Sequence, residues 1–394
     1  MPSVPEPKRP VALVAHPGSE LYGSDRVMLE TVAGLVQHGW RVVLAVPSDG
    51  PLLASARLLG AEIELLEVPV LRKSVLRPRT LPRFVGHSAS AWLRVGALLA
   101  RVRPDVVYVS TLTVPLWIAR ARARRIPVVA HVHESERQAP KALRAAIALP
   151  LRLADRVLVN SAFSRESLTE ILPGLERSSV VVYNGVAGPD TVREARQDLA
   201  GGLRVVYVGR LSPRKGVDVA IDALAELIER GVDARLDLVG AVFAGYEWYE
   251  QQLRDQVDAL RLGDRVTFHG FRPDVWATLA DADAAVVPSR LEEPFGNTAV
   301  EAVLAGRPVV VSAIGGLAEA IDGFPSALPV PADNPLALAD ALQRITRNWS
   351  TFRRTAMRFA PIAAARYSTD AYRRTVVEEI ARTSSTHPQH ALAS

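Results

Sequence analysis

Short runs of β-branched and aliphatic residues recur along the chain, separated by longer stretches whose apolar positions return every three or four residues. The runs are Val11–Ala15, Arg41–Val46, Val106–Ser110, Val128–His131, Arg156–Asn160 and Val180–Tyr183, then Leu203–Val208, Arg235–Val239, Arg265–His269, Ala284–Pro288 and Pro308–Ser312. Near-continuous apolar runs of this length belong to strands covered on both faces. Between them, Asp25–His38 sets Val27, Leu29, Val32, Leu35 and Val36 on one helical face, and Val217–Arg230 repeats the pattern with Val219, Ile221, Leu224, Leu227 and Ile228. Alternating strand and helix predicts parallel sheets with helices on both sides, the doubly wound α/β class.

The alternation pauses once, at 186–202 (VAGPDTVREARQDLAGG), which is rich in Gly and charge and has no periodic apolar face. Taking this segment as a linker divides the chain into two Rossmann-like domains, 10–185 and 203–350, expected to face each other across a cleft. A length of 394 residues supports the division, since single cores stop growing at roughly 250–300 residues. Ligands of open α/β sheets lie off the carboxyl ends of the strands. A helical segment at 353–382, with a helix near Thr369–Arg382, is expected to return to the first domain, and the polar tail 383–394 to be disordered.

Composition narrows the chemistry. The chain has no cysteine, which removes disulfides, thiolate metal sites and thiol nucleophiles. The amino terminus has too short an apolar run for a signal peptide, and no segment reaches the ~18 apolar residues of a membrane span, so a cytoplasmic protein is expected. Residues 1–200 carry 26 Lys and Arg against 18 Asp and Glu (+8), and 201–394 carry 21 against 24 (−3), together the +5 of the chain. Eight basic residues (Arg72, Lys73, Arg77, Arg79, Arg83, Arg94, Arg101, Arg103) and no acid lie between Glu67 and Asp105. With Trp92, Leu93, Leu98 and Leu99 among them, this stretch fits a face resting on an anionic membrane, the inner face of the plasma membrane being the expected one. Only Phe84 and Trp92 are aromatic there, too few to stack bases, so no nucleic-acid partner is expected.

A strand runs into residues 209–216, GRLSPRKG, and then a helix, which gathers backbone N–H groups, Arg210 and Lys215 at one helix start, a site for a diphosphate. Gly18 and Gly23, Gly296, and Gly315 with Gly316 open three further strand-to-helix turns. No G-x-G-x-x-G and no P-loop pattern is present. Residues 292–301, EEPFGNTAVE, hold Glu293 in a loop and Glu301 one turn into the next helix, about 6 Å up its axis. Two carboxylates either flank a scissile bond, ~5–9.5 Å apart, or grip sugar hydroxyls; a loop and its own helix suit the gripping role.

These motifs, with AGRPVVVS (305–312), GGLAE (315–319), LYGSDRVMLE (21–30), HVHE (131–134), ADRVLVNS (154–161) and Tyr183-Asn184-Gly185, resemble those of the retaining glycosyltransferases of family 4, which have the GT-B fold. The resemblance covers nearly the whole chain. It implies transfer of a sugar from a nucleoside-diphosphate donor to an acceptor hydroxyl with retention, in cell-envelope polysaccharide or glycolipid synthesis, the acceptor being a glycan or a lipid-linked sugar. Position by position, it implies that Arg210 and Lys215 hold the leaving diphosphate, that Glu301 binds the ribose and that Glu293 contacts the transferred sugar. Backbone amides of Phe295, Gly296, Asn297 and Thr298 would meet sugar and phosphate, Phe271 and Arg272 would border the base, and His133 would sit beside the sugar and acceptor. The first loop departs from the family's Gly-Gly, with Gly23 followed by Ser24.

The nucleotide sugar is then substrate, not cofactor, and neither cofactor nor metal is expected: two cations supply the charge a metal would bring, and Asp281-Ala-Asp283 reads as a helix end opening a strand. The departing phosphate is the expected base. Two rival readings are a nucleotide-sugar epimerase on the same fold and a non-catalytic sugar-nucleotide-binding subunit.

Overall fold

In the computed structural model, residues 9–21, 23–71, 81–134, 137 and 139–385 are described. They form two compact units, one of residues up to Gly185 together with those from Thr369 onward, the other Val186–Ser368.

The first unit is built in the order β1 (Val11–Ala15), α1 (Gly23–Gln37), β2 (Arg41–Val46), α2 (Pro51–Leu58), β3 (Glu62–Leu65), α3 (Leu81–Val102), β4 (Val106–Val109), α4 (Pro115–Ala123), β5 (Val128–Val132), α5 (Lys141–Ala148), β6 (Arg156–Val159), α6 (Ala162–Thr169) and β7 (Ser179–Val181). Its sheet runs β3-β2-β1-β4-β5-β6-β7, all parallel, with Val11 opposite Arg41 and Ala12 opposite Val106. Every residue of β1, β4 and β5 is buried, because each strand face meets helices. Val27, Met28, Val32 and Leu35 of α1 cover one face with Leu52 and Leu53 of α2; Val95, Leu98 and Leu99 of α3 and Trp117, Ile118 and Ala121 of α4 cover the other.

The second unit follows with β8 (Leu203–Val208), α7 (Val217–Glu229), β9 (Ala234–Val239), α8 (Glu247–Ala259), β10 (Val266–Gly270), α9 (Trp276–Asp281), β11 (Ala284–Val287), α10 (Asn297–Leu304), β12 (Val309–Ser312), α11 (Gly315–Ala320), β13 (Ala327–Val330), α12 (Pro335–Arg347) and α13 (Trp349–Arg366). The parallel order is β10-β9-β8-β11-β12-β13. α7, α8 and α12 pack on one face and α9, α10 and α11 on the other. The Asn334 side chain caps α12 by accepting from Ala337 N.

Two strands, β3 and β13, escaped the sequence reading, and both are sheet edges. β3 reads EIEL and is nowhere fully buried, and β13 carries Pro329, a residue tolerated on an edge where no ladder donor is needed.

The segment 186–202, expected to be a linker, is seated on the second unit. Arg196 grips Asp283, with Nε to Oδ1 at 3.0 Å, the Trp349 indole donates to Arg196 O at 3.1 Å, and Ala195 is buried. Asp281 takes Arg193 from the same segment. The helical segment expected at 353–382 divides in two: α13 stays with the second unit, while α14 (Thr369–Ser385) belongs to the first. There Tyr372, Val376, Val377 and Ile380 complete the α1 face, and Arg373 pairs with Glu30 at 2.6 Å. The expected disordered tail is helical through Ser385; residues 386–394 lie outside the described residues.

The membrane-facing reading of 72–103 meets a correction. Leu98 and Leu99 are 3% and 2% exposed and belong to the core, and Trp92 lies under Arg120, 4.7 Å from the guanidinium carbon. Leu93 alone of the four apolar residues is exposed, because helical spacing turns the others toward the sheet. Arg101 pairs with Glu64 and Arg94 donates to Glu67 O. Arg72, Lys73, Arg77 and Arg79, and the side chain of Arg83, lie outside what is described. Among the described residues, no helix is long and apolar enough to cross a membrane.

Candidate functional site

The strand order reverses between β1 and β4 in the first sheet and between β8 and β11 in the second. At such a reversal the two following loops diverge to opposite faces and leave a crevice at the carboxyl ends of the strands. Arg210, Lys215 and Glu293 lie on the loops at the second reversal, and His16 and Ser110 at the first.

In the second unit the loop after β8 carries Arg210 and Lys215, and the loop after β11 carries Glu293. Lys215 Nζ donates to both carboxylate oxygens of Glu293, at 2.6 and 2.7 Å, and Ser289 Oγ donates to one of them. Glycine makes the approach possible. Gly216 has φ +64°, and a Cβ there would stand 2.0 Å from Pro288 O, so only glycine lets the start of α7 close on the β11 loop. Burial works to raise the Glu293 carboxyl, but the charge of Lys215 and the bonds from Lys215 and Ser289 outweigh it and hold the group below its ordinary range. The pair is therefore an ionised carboxylate and an ammonium shielded from bulk water, with Glu293 only 9% exposed.

Arg210 lies half-buried on the same loop, its guanidinium carbon 3.4 Å from the centroid of the Phe243 ring. Tyr207 Oη donates to Arg210 O at 2.7 Å and fixes the backbone there. The Gly315-Gly316 turn, noted above as a strand-to-helix turn, packs against the Glu293 loop. Gly316 N donates to Glu293 O at 2.7 Å, and a Cβ on Gly316 would meet Pro294 O at 2.3 Å. The turn buttresses the Glu293 loop from behind.

Gly296 precedes α10 with φ +136°, where a Cβ would press on Leu317 at 2.7 Å. Asn297, Thr298 and Glu301 follow on α10, all half-buried. The Phe295 side chain turns away into the core, edge-on to Tyr367 at 5.5 Å, so only its backbone serves the turn. After β10, Phe271 and Arg272 are exposed; Arg272 approaches His269, whose Nε2 holds Asp237 at 2.7 Å.

In the first unit His133 follows β5. Its two ring nitrogens are buried and have no hydrogen-bond partner among the described residues, while its ring packs on His131 at 4.0 Å between centroids. Burial first, and the neighbouring His16 next, push its pKa down to about 3, against a smaller upward pull from Asp25. His133 is thus a neutral imidazole offering one donor and one acceptor. Glu134 beside it takes Thr111 Oγ1 and the His133 N–H at 3.0 Å; burial nevertheless raises its carboxyl pKa. Gly23 opens α1 and is exposed.

The sequence reading passed over His16, Asp25 and Ser110. His16, just past β1, holds Ser110, just past β4, through Nδ1 at 2.5 Å and Asp25 of α1 through Nε2 at 2.8 Å. All three are at least nine-tenths buried at the first sheet's reversal. The signal was present in HPGSELYGSD, whose glycines were weighed and whose polar ends were not. Ser289, four residues before Glu293, was missed in the same way. Among the described residues, no cluster of His, Asp and Glu has the arrangement to hold a metal ion.

The chain is similar to known proteins in sequence and in fold. Residues 22–187 match the model of Glycosyltransferase Family 4, and residues 192–364 match Glycosyl transferases group 1. The chain is 33% identical over 254 residues to a glycogen synthase of Mycobacterium tuberculosis, a match spanning 60% of this chain and 59% of that protein. It is 27% identical to D-inositol 3-phosphate glycosyltransferase 1 of Catenulispora acidiphila over 84% of both chains. Anabaena HepE, solved in complex with UDP and glucose, superposes with a TM-score of 0.79 at 21% identity, covering 94% of this chain and 99% of that one, and so shares the fold.

Proposed function

Because the chain belongs to the family 4 glycosyltransferases of GT-B fold, we propose that it transfers a sugar from a nucleoside-diphosphate donor to an acceptor hydroxyl with retention of anomeric configuration. The observation that carries this reading is the pairing of Lys215 with Glu293 at the reversal of the second sheet, with Arg210 on the same loop after β8. Two cations at the end of a parallel sheet suit a diphosphate that gains charge as the glycosidic bond breaks. Glu293, displaced from Lys215 by the incoming phosphate, is left an ionised acceptor for the hydroxyls of the transferred sugar. Glu301, on α10, takes the ribose hydroxyls, the amides at 295–298 take sugar and phosphate, and Phe271 and Arg272 border the base.

Neutral His133 serves as a hydrogen-bonding partner on the acceptor side rather than as a charged acid. The leaving phosphate accepts the proton of the attacking hydroxyl, and no metal is needed on this account because Arg210 and Lys215 already bring the charge. The acceptor is a glycan or lipid-linked sugar of the cell envelope.

A thermal-shift panel of nucleoside diphosphates and their sugars tests the donor site. A ligand at 100 times its Kd stabilises the folded state by about 2.7 kcal/mol. At least one nucleoside diphosphate raises the melting temperature of the wild type and not of Glu301→Ala; a panel without any shift would remove the donor-binding reading.

A further inference from the structure

The ring of His133 is held by another ring, and that ring by the last helix of the chain. His131, with no exposure, stands between three aromatic neighbours. His133 lies at 4.0 Å between centroids and tilted 37°, Tyr372 of α14 stacks at 6.3 Å and 25°, and Tyr108 meets it edge-on at 6.0 Å and 82°. Among the described residues its one hydrogen bond joins Nδ1 and Tyr108 Oη, 2.6 Å apart, and Nε2 has no partner. The His133 nitrogens make no hydrogen bond among the described residues, so the orientation of that imidazole depends on the face of His131.

Tyr372 is itself fixed. Its hydroxyl lies 2.7 Å from Thr31 Oγ1 and donates to Val27 O at 3.3 Å, both on α1. Around it α14 is clamped by Arg373 to Glu30 and by Glu379 to Arg156, each at 2.6 Å. Two glycines let it come this close. A Cβ on Gly34 would stand 2.9 Å from Arg373 Cβ, and one on Gly185 would stand 2.8 Å from Tyr372 Cβ and 3.0 Å from Thr369 Cα. Interiors packed this tightly pass a displaced ring on to its neighbours.

We propose that Tyr372 is a positioning residue for His133, acting through the stacked ring of His131, so that a helix contributed from the end of the chain sets the orientation of an imidazole near its start. Its value to the reaction rests on the reading of His133 given above; the placement itself does not.

Nitrogen-15 NMR of the histidine rings in the full-length protein needs no substrate and separates the two. In Tyr372→Leu, which removes the ring, the ring signals of His131 and His133 move, while those of His38 on the same unit and His269 on the other stay in place. Tyr372→Phe, which keeps the ring, leaves the His133 signals at their wild-type positions. Gly185→Ala, which presses on Tyr372 without touching either histidine, moves the same two sets of signals and serves if Tyr372→Leu does not fold. His133 signals unmoved in the folded Leu or Ala variant would overturn the proposal, as would a displacement spread equally over His38 and His269. An inactive enzyme with these shifts as expected, or a fully active His133→Ala, bears on the function of His133 and leaves its positioning standing.

Discussion

Lys215 and Glu293, 78 residues apart, are bound to each other through both carboxylate oxygens, at 2.6 and 2.7 Å. Each was read from the sequence as a ligand-binding group of its own, one for phosphate and one for sugar. In the structure each is the other's counter-ion.

Removing one member of such a pair leaves a charge of the same site shielded from water and unmatched. Lys215→Ala is expected to destabilise the second unit by about 3 kcal/mol, and Lys215→Ala with Glu293→Gln by clearly less. Urea unfolding of the two variants beside the wild type checks this. The transfer rate of Lys215→Ala falls by about 10²-fold, as when one electrostatic donor is lost from a developing anion. Because the folded pKa of Glu293 is lowered, its contribution to stability is in place above the ordinary value of 4.5 and is lost as pH falls below it. The stability gap between wild type and Glu293→Gln should narrow in that range.

His133 follows the same rule in a higher pH window. The unfolded chain binds a proton there near pH 6.5 that the folded protein refuses until about pH 3. Stability is therefore lost progressively as pH falls between those values, and His133→Asn removes its share of the slope. Melting temperatures from pH 7.5 to 4.5 test this. The pH profile of transfer contains no step near 6.5 arising from this residue.

Arg307, outside the site, is fully buried, and its guanidinium donates to the carbonyls of Leu279, Ala280, Arg193, Ala305 and Gly306. Burial first, then Arg193, lowers its pKa to about 10, leaving it charged at neutral pH. The fork ties the 186–202 segment to α9 and the end of α10. Arg307→Lys presents a point charge in place of five directed donors. A loss of roughly 3 kcal/mol or more in urea unfolding is expected, since several carbonyls lose their partners.

The charge brought by Arg210 and Lys215 predicts that a chelator leaves transfer unchanged. Assay after extensive dialysis against EDTA, with and without added Mg²⁺ and Mn²⁺, checks it. A rate restored only by a divalent ion would require a different stabilisation of the leaving group.

How much was legible in the sequence follows from what each residue touches. The central strands could be read because both faces are apolar; β3 and β13 could not, because an edge strand needs neither continuous apolarity nor every donor. Arg210, Lys215 and Glu293 stood out because each motif is local. The pairing of Lys215 with Glu293, like that of His16 with Ser110, is set by strand order, which brings β8 beside β11 and β1 beside β4. Leu98 and Leu99 were misplaced on a surface because a basic stretch was read as one face, whereas a helix distributes it over several. The stacking of Tyr372 on His131 joins residues more than 200 apart in sequence, and no local pattern announces it.

The most direct measurement is proton NMR of the anomeric signals during reaction of the wild-type protein with the nucleotide sugar found in the thermal panel and a glycan acceptor. An α-linked donor should give an α-linked product together with free nucleoside diphosphate, and Lys215→Ala should slow the appearance of both. A β-linked product, or an isomerised sugar formed from donor alone, or donor bound and recovered intact in the presence of every acceptor tried, would contradict a retaining transferase.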